Sequence, residues 1–234
     1  MQTFFLFWRR LTQWALLLGV CAMAAGCSPL RFLEPDEQLL VKVRLESDSR
    51  AVRPAAYRRY VRQEANSRWL SLVKVPLGIY CLSGTDSTRR FNRFVRRIGE
   101  APVVFDASLA QFSAASLQAA LVSAGYLHAR ADYGVESRGR RLTVTFRLSP
   151  GELYYVDTIL YDVESPQIDS LMRRSARFSR LRRGMPLDAS QLEAEQSRLV
   201  RLFRNAGYYN LHNEYVSYLA DTLSGEKGVR LTLR

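Results

Sequence analysis

The sequence is poor in the residues that build catalytic and metal centres. It has 234 residues but only two histidines and three cysteines. His128 and His212 stand in neither an HxxxH nor an HExxH spacing, the arrangements that bring two imidazoles together for zinc. A glycine-rich phosphate loop and a GxSxG nucleophile elbow are also missing. We therefore expect no enzyme, no metal and no cofactor, and we expect both histidines at exposed strand or turn positions.

Long apolar runs are scarce as well. Hydrophobic residues make up 47% of the chain, which excludes a polytopic membrane protein. The apolar stretch Leu11–Gly26 is shorter than the roughly 20 residues that a spanning helix needs. It follows Arg9 and Arg10 and ends in small residues, which is the order of an export signal. The alternative is an uncleaved helix that begins at Phe4.

The few cysteines exclude a disulfide framework in the exported chain. Ala-Ala-Gly-Cys at positions 24–27 is similar to a lipobox, so Cys27 is predicted to carry the lipid. Acyl chains contribute about 0.8 kcal/mol per buried CH₂, and a triacylated cysteine is a durable anchor. Cys21 leaves with the signal, which leaves Cys81 as a small buried apolar residue. We expect a lipid-anchored protein of the outer membrane with its modules in the periplasm.

Acidic residues are outnumbered by basic ones. The chain has 34 Lys and Arg against 22 Asp and Glu, and loss of Arg9 and Arg10 lowers the net charge from +12 to +10. In an exported protein this charge favours anionic lipid headgroups, acidic partners or solubility over nucleic acid. Two arginine clusters are predicted to form a basic face, or else a solvated surface: Arg173, Arg174, Arg177, Arg180, Arg182 and Arg183, and Arg89, Arg90, Arg93, Arg96 and Arg97.

An internal repeat organises the chain. Asp106–Ser108 recurs as Asp188–Ser190, and Ala124–Tyr126 recurs as Ala206–Tyr208, both at an offset of 82 residues. Between the two tripeptides, apolar residues at i, i+3, i+4 and i+7 form one helical stripe in each copy. The stripes are Leu117, Ala120, Leu121 and Ala124, and Leu199, Leu202, Phe203 and Ala206.

The ends of these two helices carry recognisable signals. Ser108 and Ser190 each precede a Gln or Glu by three residues, which is the spacing of a capping box, although Ser113 is an alternative start. Gly125 and Gly207 stand where a helix ends and a residue with positive φ is needed. Four carboxylates are interpreted as helix-start charges that complement the helix dipole: Asp106, Asp188, Glu193 and Glu195.

Alternating apolar and polar residues predict the strands. Leu142–Leu148 and Val229–Leu233 are half-buried closing strands, and Val41–Leu45 and Tyr154–Val163 open the two copies. First helices are predicted at Pro54–Asn66 and Gln167–Ala176, with a further helical stretch at Phe91–Ile98. Each copy thus predicts an α+β module of order β-α-α-β-β, a three-stranded sheet with two helices on one face.

The predicted domains follow from this order. Residues 1–26 are a signal peptide, 27–38 a lipidated linker, 39–149 the first module with an insertion at about 67–105, and 151–234 the second module. The aromatic stretches that follow each helix-ending glycine, Tyr126–Val135 and Tyr208–Tyr218, are predicted edge strands that pair with an incoming chain, unless neighbouring modules cover those edges. The candidate client-binding residues are Tyr126, Tyr133, Tyr208, Tyr209, Tyr215 and Tyr218.

The modules resemble a known family. The β-α-α-β-β order, with a helix ending in Ala-Gly-Tyr before an extended strand, resembles the POTRA domain of the BamA/TamA superfamily. Over Phe32–Arg234 the chain is similar to the TamL proteins of Bacteroidota, which also carry a lipobox. The segments that carry this resemblance are Asn92-Arg93, Ile98–Asp106, Gly125-Tyr126, Gly207–Asn210 and Ala220–Thr222.

The resemblance implies a part in inserting or assembling outer-membrane proteins, or in transporting envelope components. The implied partners are unfolded outer-membrane β-barrel proteins, an inner-membrane partner of TamB type, and membrane lipid through acylated Cys27. Family members end in a β-barrel, whereas this chain stops at Arg234 inside an alternating strand, so we expect a fragment or a truncated gene. The alternatives are a structural lipoprotein that spans the periplasm and binds one fixed partner and, less well supported for want of a nucleophile–base pair, an envelope hydrolase.

Overall fold

A computed structural model of the chain describes residues 28–67, 75–83, 89–222 and 227–234. The predicted signal peptide and Cys27 lie outside the described residues. Within those residues the fold is α+β, with six α-helices and two three-stranded sheets. The strands are β1 Leu39–Ser47, β2 Arg130–Arg138, β3 Arg141–Ser149, β4 Tyr155–Tyr161, β5 Tyr218–Thr222 and β6 Gly228–Leu233. The helices are α1 Pro54–Tyr57, α2 Val75–Cys81, α3 Arg90–Ile98, α4 Ala107–Ser123, α5 Pro166–Ser175 and α6 Ala189–Asn205.

By packing, the chain divides into two compact units, each made of several stretches. The first contains Met1–Arg44, Gln63–Ala110 and Gly134–Thr145, and the second contains Leu45–Arg62, Gln111–Tyr133 and Phe146–Arg234. This division groups residues by their contacts, so the predicted boundaries along the chain, 39–149 and 151–234, stay a prediction.

The first sheet has the strand order β1-β3-β2. The predicted strand Leu142–Leu148 lies within β3, and its alternate apolar side chains are at most 2% exposed, which confirms the period of two. A two-residue turn at Gly139-Arg140 joins β2 to β3, so these strands are antiparallel. Gly139 has φ of +60°, which the first central residue of a two-residue hairpin turn of type I′ or II′ requires.

The second sheet has the order β4-β6-β5, with β6 parallel to β4 and antiparallel to β5. The predicted strand Val229–Leu233 lies within β6, and its three apolar side chains are at most 1% exposed. They form one core with apolar side chains of β4, α5 and α6, so both helices cover the same face of this sheet. The helical members of that core are Met172, Leu199, Val200 and Phe203.

The two repeated Ala-Gly-Tyr tripeptides end α4 and α6 in the same way. In α4, Gly125 N–H donates to Val122 C=O at 3.0 Å and Tyr126 N–H donates to Leu121 C=O at 3.1 Å. In α6, Gly207 and Tyr208 make the equivalent two bonds at 3.1 and 3.0 Å. This is the Schellman motif, which needs a left-handed residue, and Gly125 and Gly207 have φ of +96° and +101°.

The starts of α4 and α6 differ from the predicted capping box. Asp188 is the N-cap of α6, and its carboxylate accepts from Ser190 N–H at 2.8 Å. Asp106 accepts from Ser108 N–H at 2.8 Å in the same way before α4. The aspartates cap these helices because a charged carboxylate oxygen is a stronger acceptor for the first free N–H groups than a serine hydroxyl is. The prediction of Ser108 and Ser190 as caps, and of Ser113 as an alternative start, is therefore wrong.

The predicted helix Pro54–Asn66 is wrong over most of its length. After α1 the chain makes a 3₁₀ turn at Arg58–Tyr60 and then continues without regular secondary structure through residue 67. The side-chain amides of Gln63 and Asn66 donate to the carbonyls of Val104 and Ala101, respectively, both at 2.6 Å. These tertiary bonds override a helix propensity worth only tenths of a kcal/mol per residue.

The other predicted helices are confirmed within a few residues. The helix predicted at Gln167–Ala176 is α5, followed by a 3₁₀ turn at Ala176–Phe178. The stretch Phe91–Ile98 lies within α3. Cys81, at the end of α2, is 1% exposed, as predicted for a small buried residue.

Candidate functional site

The outer edge of β1 is covered by its own part of the chain. Leu39 forms an antiparallel bridge with Val104. Leu40 N–H donates to Val103 C=O, and Phe105 N–H donates to Gln38 C=O, both at 2.8 Å. The extended segment before α4 thus occupies the edge of β1 that does not face β3.

The outer edge of β4 is covered at the equivalent repeat position. Tyr155 bridges Pro186 in antiparallel fashion, and position 186 is Val104 moved by the repeat offset of 82. Val156 N–H donates to Met185 C=O at 2.8 Å, and Gly184 N–H donates to Val156 C=O at 2.7 Å. Each copy therefore covers the start of the edge of its first strand with the segment that precedes its long helix.

The segment that covers β1 belongs to Ile98–Asp106, one of the stretches that carry the family resemblance. Besides their bonds to carbonyls, Asn66 accepts from Val103 N–H at 3.2 Å and Gln63 accepts from Asp106 N–H at 3.1 Å. A Cβ added at Gly99 would lie 2.5 Å from the Tyr80 backbone nitrogen, so only glycine fits this approach. Sequence reasoning missed this role, although the repeat offset that aligns Val104 with Pro186 was a signal for it.

The edge of β2 is open among the described residues, because β2 has β3 as its only neighbour in the sheet. The two-residue turn makes Arg138 and Arg141 a hydrogen-bonded pair, so the N–H and C=O groups of Tyr133, Val135 and Ser137 point away from β3. Val135 is 44% exposed. Tyr133 is half-buried with its ring 6.1 Å from that of Phe146, so it offers its main chain rather than its ring.

The edge of β5 is open as well but short. Ser217 and Arg234 exchange two backbone hydrogen bonds at 2.9 and 3.0 Å, so the outward groups beyond them belong to Tyr218, Ala220 and Thr222. Tyr218 is half-buried, and its hydroxyl is buried without a hydrogen-bond partner in the described part of the chain. β2 is therefore the longer and more accessible of the two edges.

Three of the predicted client-binding tyrosines do not lie on a strand. Tyr208, Tyr209 and Tyr215 line a cleft of about 620 Å³ in the connection between α6 and β5. Gln196 on α6 donates to the carbonyls of Asn213 and Val216, both at 2.7 Å. The Gln196 side chain thus donates to carbonyls that would otherwise be available to a neighbouring strand. The predicted edge strand Tyr208–Tyr218 is wrong, because the strand begins only at Tyr218.

Tyr126 is also misplaced by the prediction. It is 8% exposed and precedes β2 by four residues, as the closing residue of the α4 Schellman motif. A buried side chain at a helix end cannot pair with an incoming strand. Of the six predicted client-binding tyrosines, only Tyr133 and Tyr218 lie on edge strands.

Glu195 has a structural role that its helix-start interpretation misses. It is 2% exposed, and its carboxylate accepts from Arg198 at 2.6 and 2.9 Å and from Arg180 N–H at 2.8 Å. Burial acts to raise the pKa of Glu195, but these hydrogen bonds outweigh it and hold the pKa below its usual range. Burial first, and then the charge of Glu195, raise the pKa of Tyr218.

The predicted basic face is exposed but partly neutralised. Arg173 pairs with Asp169 at 2.7 Å, and Arg183 pairs with Asp157 at 2.9 Å. The guanidinium of Arg177 lies 4.7 Å from the ring centre of Phe178, which is 63% exposed. The exposed members are Arg173, Arg174, Arg177, Arg180, Arg182 and Arg183.

Three further findings concern metal ligands, the two histidines and membrane spans. Among the described residues, no three His, Cys, Asp or Glu side chains come close enough to hold a metal ion. His128 and His212 are both exposed, as predicted. Within the described stretches, none of the helices combines the length and the apolar character that a membrane span requires.

No protein-family model and no curated protein matches the chain. BamA from Haemophilus ducreyi lacking POTRA domains 1–3 is 20% identical with a TM-score of 0.39, over 65% of this chain and 27% of that one. POTRA domains 1–2 of Omp85 from Anabaena are 13% identical with a TM-score of 0.39, over 86% of this chain and 96% of that one. CdiB from Escherichia coli is 13% identical with a TM-score of 0.32, over 95% of this chain and 33% of that one.

Proposed function

We propose that this chain is the periplasmic, client-binding part of an outer-membrane protein assembly or translocation factor, held at the outer membrane by lipid on Cys27. The observation that carries this proposal is the open edge of β2 in a chain that itself covers the starts of β1 and β4. In each copy the segment before the long helix pairs with the start of the opening strand, whereas the outward N–H and C=O groups of β2 have no strand partner among the described residues. The unoccupied edge is where an extended polypeptide would bind.

Pairing at a strand edge suits a set of many unfolded β-proteins. Main-chain hydrogen bonds supply affinity without a demand on sequence, and the proposal includes no catalytic step. The nine residues of β2 match the length of a typical barrel strand of about 9–11 residues. An inner-membrane partner of TamB type belongs to the proposal through the family resemblance alone.

Photo-crosslinking in cells tests the client-binding edge. A crosslinker at Val135 on β2 is compared with one at Tyr155 on β4, because their side chains are 44% and 39% exposed but Tyr155 is bridged by Pro186. We expect Val135 to capture many unfolded outer-membrane proteins and Tyr155 to capture few. Equal capture at both positions would refute the edge, and capture of one fixed envelope protein would favour the structural lipoprotein.

A proline at Val135 tests the same edge through hydrogen bonding. Its N–H points away from β3, so Val135→Pro removes an outward donor and leaves the ladder of the sheet intact. We expect client capture to fall at least about fivefold, which is the worth of one hydrogen bond of about 1 kcal/mol. Val135→Thr keeps the N–H and serves as the control. Labelling with palmitate tests the anchor, because labelling that persists in Cys27→Ala would show that Cys27 is not the lipidated residue.

A further inference from the structure

The short helix α3 has an apolar stripe that faces solvent. Phe91, Phe94 and Ile98 lie at i, i+3 and i+7 and are 66%, 63% and 55% exposed. The spacing places them on one side of the helix. Burying such side chains is worth about 1.5–3 kcal/mol each, so a surface that leaves three of them in water indicates a binding surface.

Arginines border this stripe on one side. Arg90, Arg93 and Arg97 are exposed and make no ion pair within the described residues. The buried residues Asn92 and Val95 border the stripe on its other side, where the helix packs on the protein. An apolar stripe bordered by basic residues is the pattern of a helix that lies in the interface of an anionic bilayer.

The chain just after Cys27 is fixed beside α3. The 3₁₀ turn Pro29–Phe32 is held by Arg31, which donates to the carbonyls of Cys81 and, at 2.8 Å, Ser83. The ring of Phe32 meets that of Tyr80 edge-on at 5.2 Å. Arg96 of α3 completes this contact, with its guanidinium 5.9 Å from the Phe32 ring centre and 5.7 Å from that of Tyr80.

The length of the tether sets how far α3 lies from the lipid. Cys27 precedes Pro29 by two residues, which span at most about 7 Å even when fully extended. If the acyl chains hold Cys27 at the leaflet, the turn and the helix that packs on it are held at the headgroups. The anchor thus makes contact between α3 and the leaflet an intramolecular step with a high effective concentration.

A second basic feature borders the same N-terminal segment. A cleft of about 620 Å³ reaches Leu30 and contains one carboxylate, Glu136. Arg140 donates to the carbonyls of Leu30 and Glu37 at 3.4 and 3.3 Å and to that of Glu34, which fixes the β2–β3 turn against this segment. The arginines that line the cleft are Arg44, Arg138, Arg140 and Arg141.

We propose that α3 is an interfacial helix, which lays Phe91, Phe94 and Ile98 into the anionic leaflet that holds the Cys27 anchor. This inference rests on the lipid anchor of the proposed function and adds a membrane-contacting surface to it. The occupant is a bilayer rather than a protein, because a neutral protein groove would not need the flanking arginines. The same arginines bind lipid phosphates, with about a fivefold gain in affinity for each.

Tryptophan fluorescence tests the docking. The full acylated chain carries Trp69→Phe with either Phe94→Trp on α3 or, as the control, Phe112→Trp on α4, since Phe94 and Phe112 are 63% and 65% exposed. Each is reconstituted into vesicles of phosphatidylcholine with phosphatidylglycerol, with lipids brominated on their acyl chains as quenchers. We expect quenching at position 94 and none at position 112. Equal quenching at both positions, or none at position 94, would overturn the inference.

Charge variants separate binding of lipid at α3 from a general attraction between a basic chain and an anionic bilayer. Arg93→Gln with Arg97→Gln removes two charges, so we expect the docked-to-free ratio to fall about 25-fold. Arg130→Gln with Arg147→Gln removes two exposed arginines from β2 and β3 and should leave the ratio unchanged. An equal fall in both pairs contradicts a specific helix surface.

Acylation is measured separately, from the mass of the purified chain. A chain without lipid on Cys27 contradicts the proposed anchor and takes the inference with it. An acylated chain whose position 94 is not quenched overturns the interfacial helix alone. Protection of α3 by a captured protein in place of lipid would also overturn it.

Discussion

The two helix-ending glycines allow one substitution to be compared in two environments. Gly125 and Gly207 have nearly the same φ, +96° and +101°, and both close a Schellman motif. Alanine at either position must adopt a backbone conformation that L-residues avoid, at a cost of about 1–2 kcal/mol. Gly207→Ala should lose only this amount, because a Cβ there would meet nothing within 4 Å.

Gly125→Ala should cost more because of what surrounds it. Its Cβ would lie 2.6 Å from Leu187 C=O and 3.1 Å from the Leu153 side chain, and the first of these is backbone that cannot rotate away. Two hydrogen bonds meet at this point: Tyr154 N–H donates to Gly125 C=O at 3.0 Å, and Leu187 N–H donates to Tyr154 C=O at 2.9 Å. Weakening both adds about 2 kcal/mol, for a total of about 3–4 kcal/mol.

Urea unfolding of a chain that begins at Ser28, followed by far-UV circular dichroism, measures both free energies. The comparison requires equal m-values, since a change in m would show that the unfolded or native state had altered. We expect Gly125→Ala to lose about 2 kcal/mol more than Gly207→Ala. Losses that agree within about 0.5 kcal/mol would refute the close approach at Gly125 and leave only the shared backbone cost.

Three further outcomes follow from the contacts of α6. Glu195→Gln should destabilise the chain by about 3 kcal/mol at pH 7. Because the pKa of Glu195 is lower in the folded state, its carboxylate stabilises the fold at pH values above the pKa of the unfolded state, and this stabilisation is lost as the pH falls through the pKa of the folded state. The urea unfolding curves of the variant and the parent should therefore converge in acid. Gln196→Ala removes the bonds to Asn213 and Val216, so amide exchange in that connection should accelerate by about fivefold or more, whereas exchange in β6 should not change. Asp188→Ala should lower the free energy of unfolding in urea by about 1 kcal/mol, and Asp188→Asn, which keeps an acceptor, should lower it much less. Equal losses for the last two variants would contradict the N-cap.

Two of the predicted elements are wrong for the same reason. The pattern of neighbouring residues predicts a helix at Pro54–Asn66 and a strand at Tyr208–Tyr218, but in both segments the chain is held by side chains distant in sequence. Gln63 bonds Val104, and Gln196 bonds Asn213 and Val216. Polar side chains that bond a distant backbone leave no periodic trace, so neither the short α1 nor the tyrosine-lined connection was predictable from spacing.

The exposed stripe of α3 shows a related limit. The sequence predicts a helical stretch at Phe91–Ile98, and only the exposure of Phe91, Phe94 and Ile98 shows that these side chains face solvent while Val95 is buried. The arginine cluster at positions 89–97 was visible in the sequence. The proposal that this cluster borders a membrane-binding surface depends on Arg31, which fixes the segment just after Cys27 beside this helix.

The amino-acid sequence by itself determined the repeat, the strands with a period of two, the apolar stripes of α4 and α6, and the glycines that end those helices. Each of these depends on neighbouring residues, whose spacing sets which face of an element is apolar and which backbone angles are allowed. Tertiary structure alone decided which strand edges are covered, where Glu195 finds its partners, and which apolar side chains stay in water. Those outcomes depend on contacts between residues far apart in the chain, and the free energy of such a contact exists only once the chain has brought its two ends together.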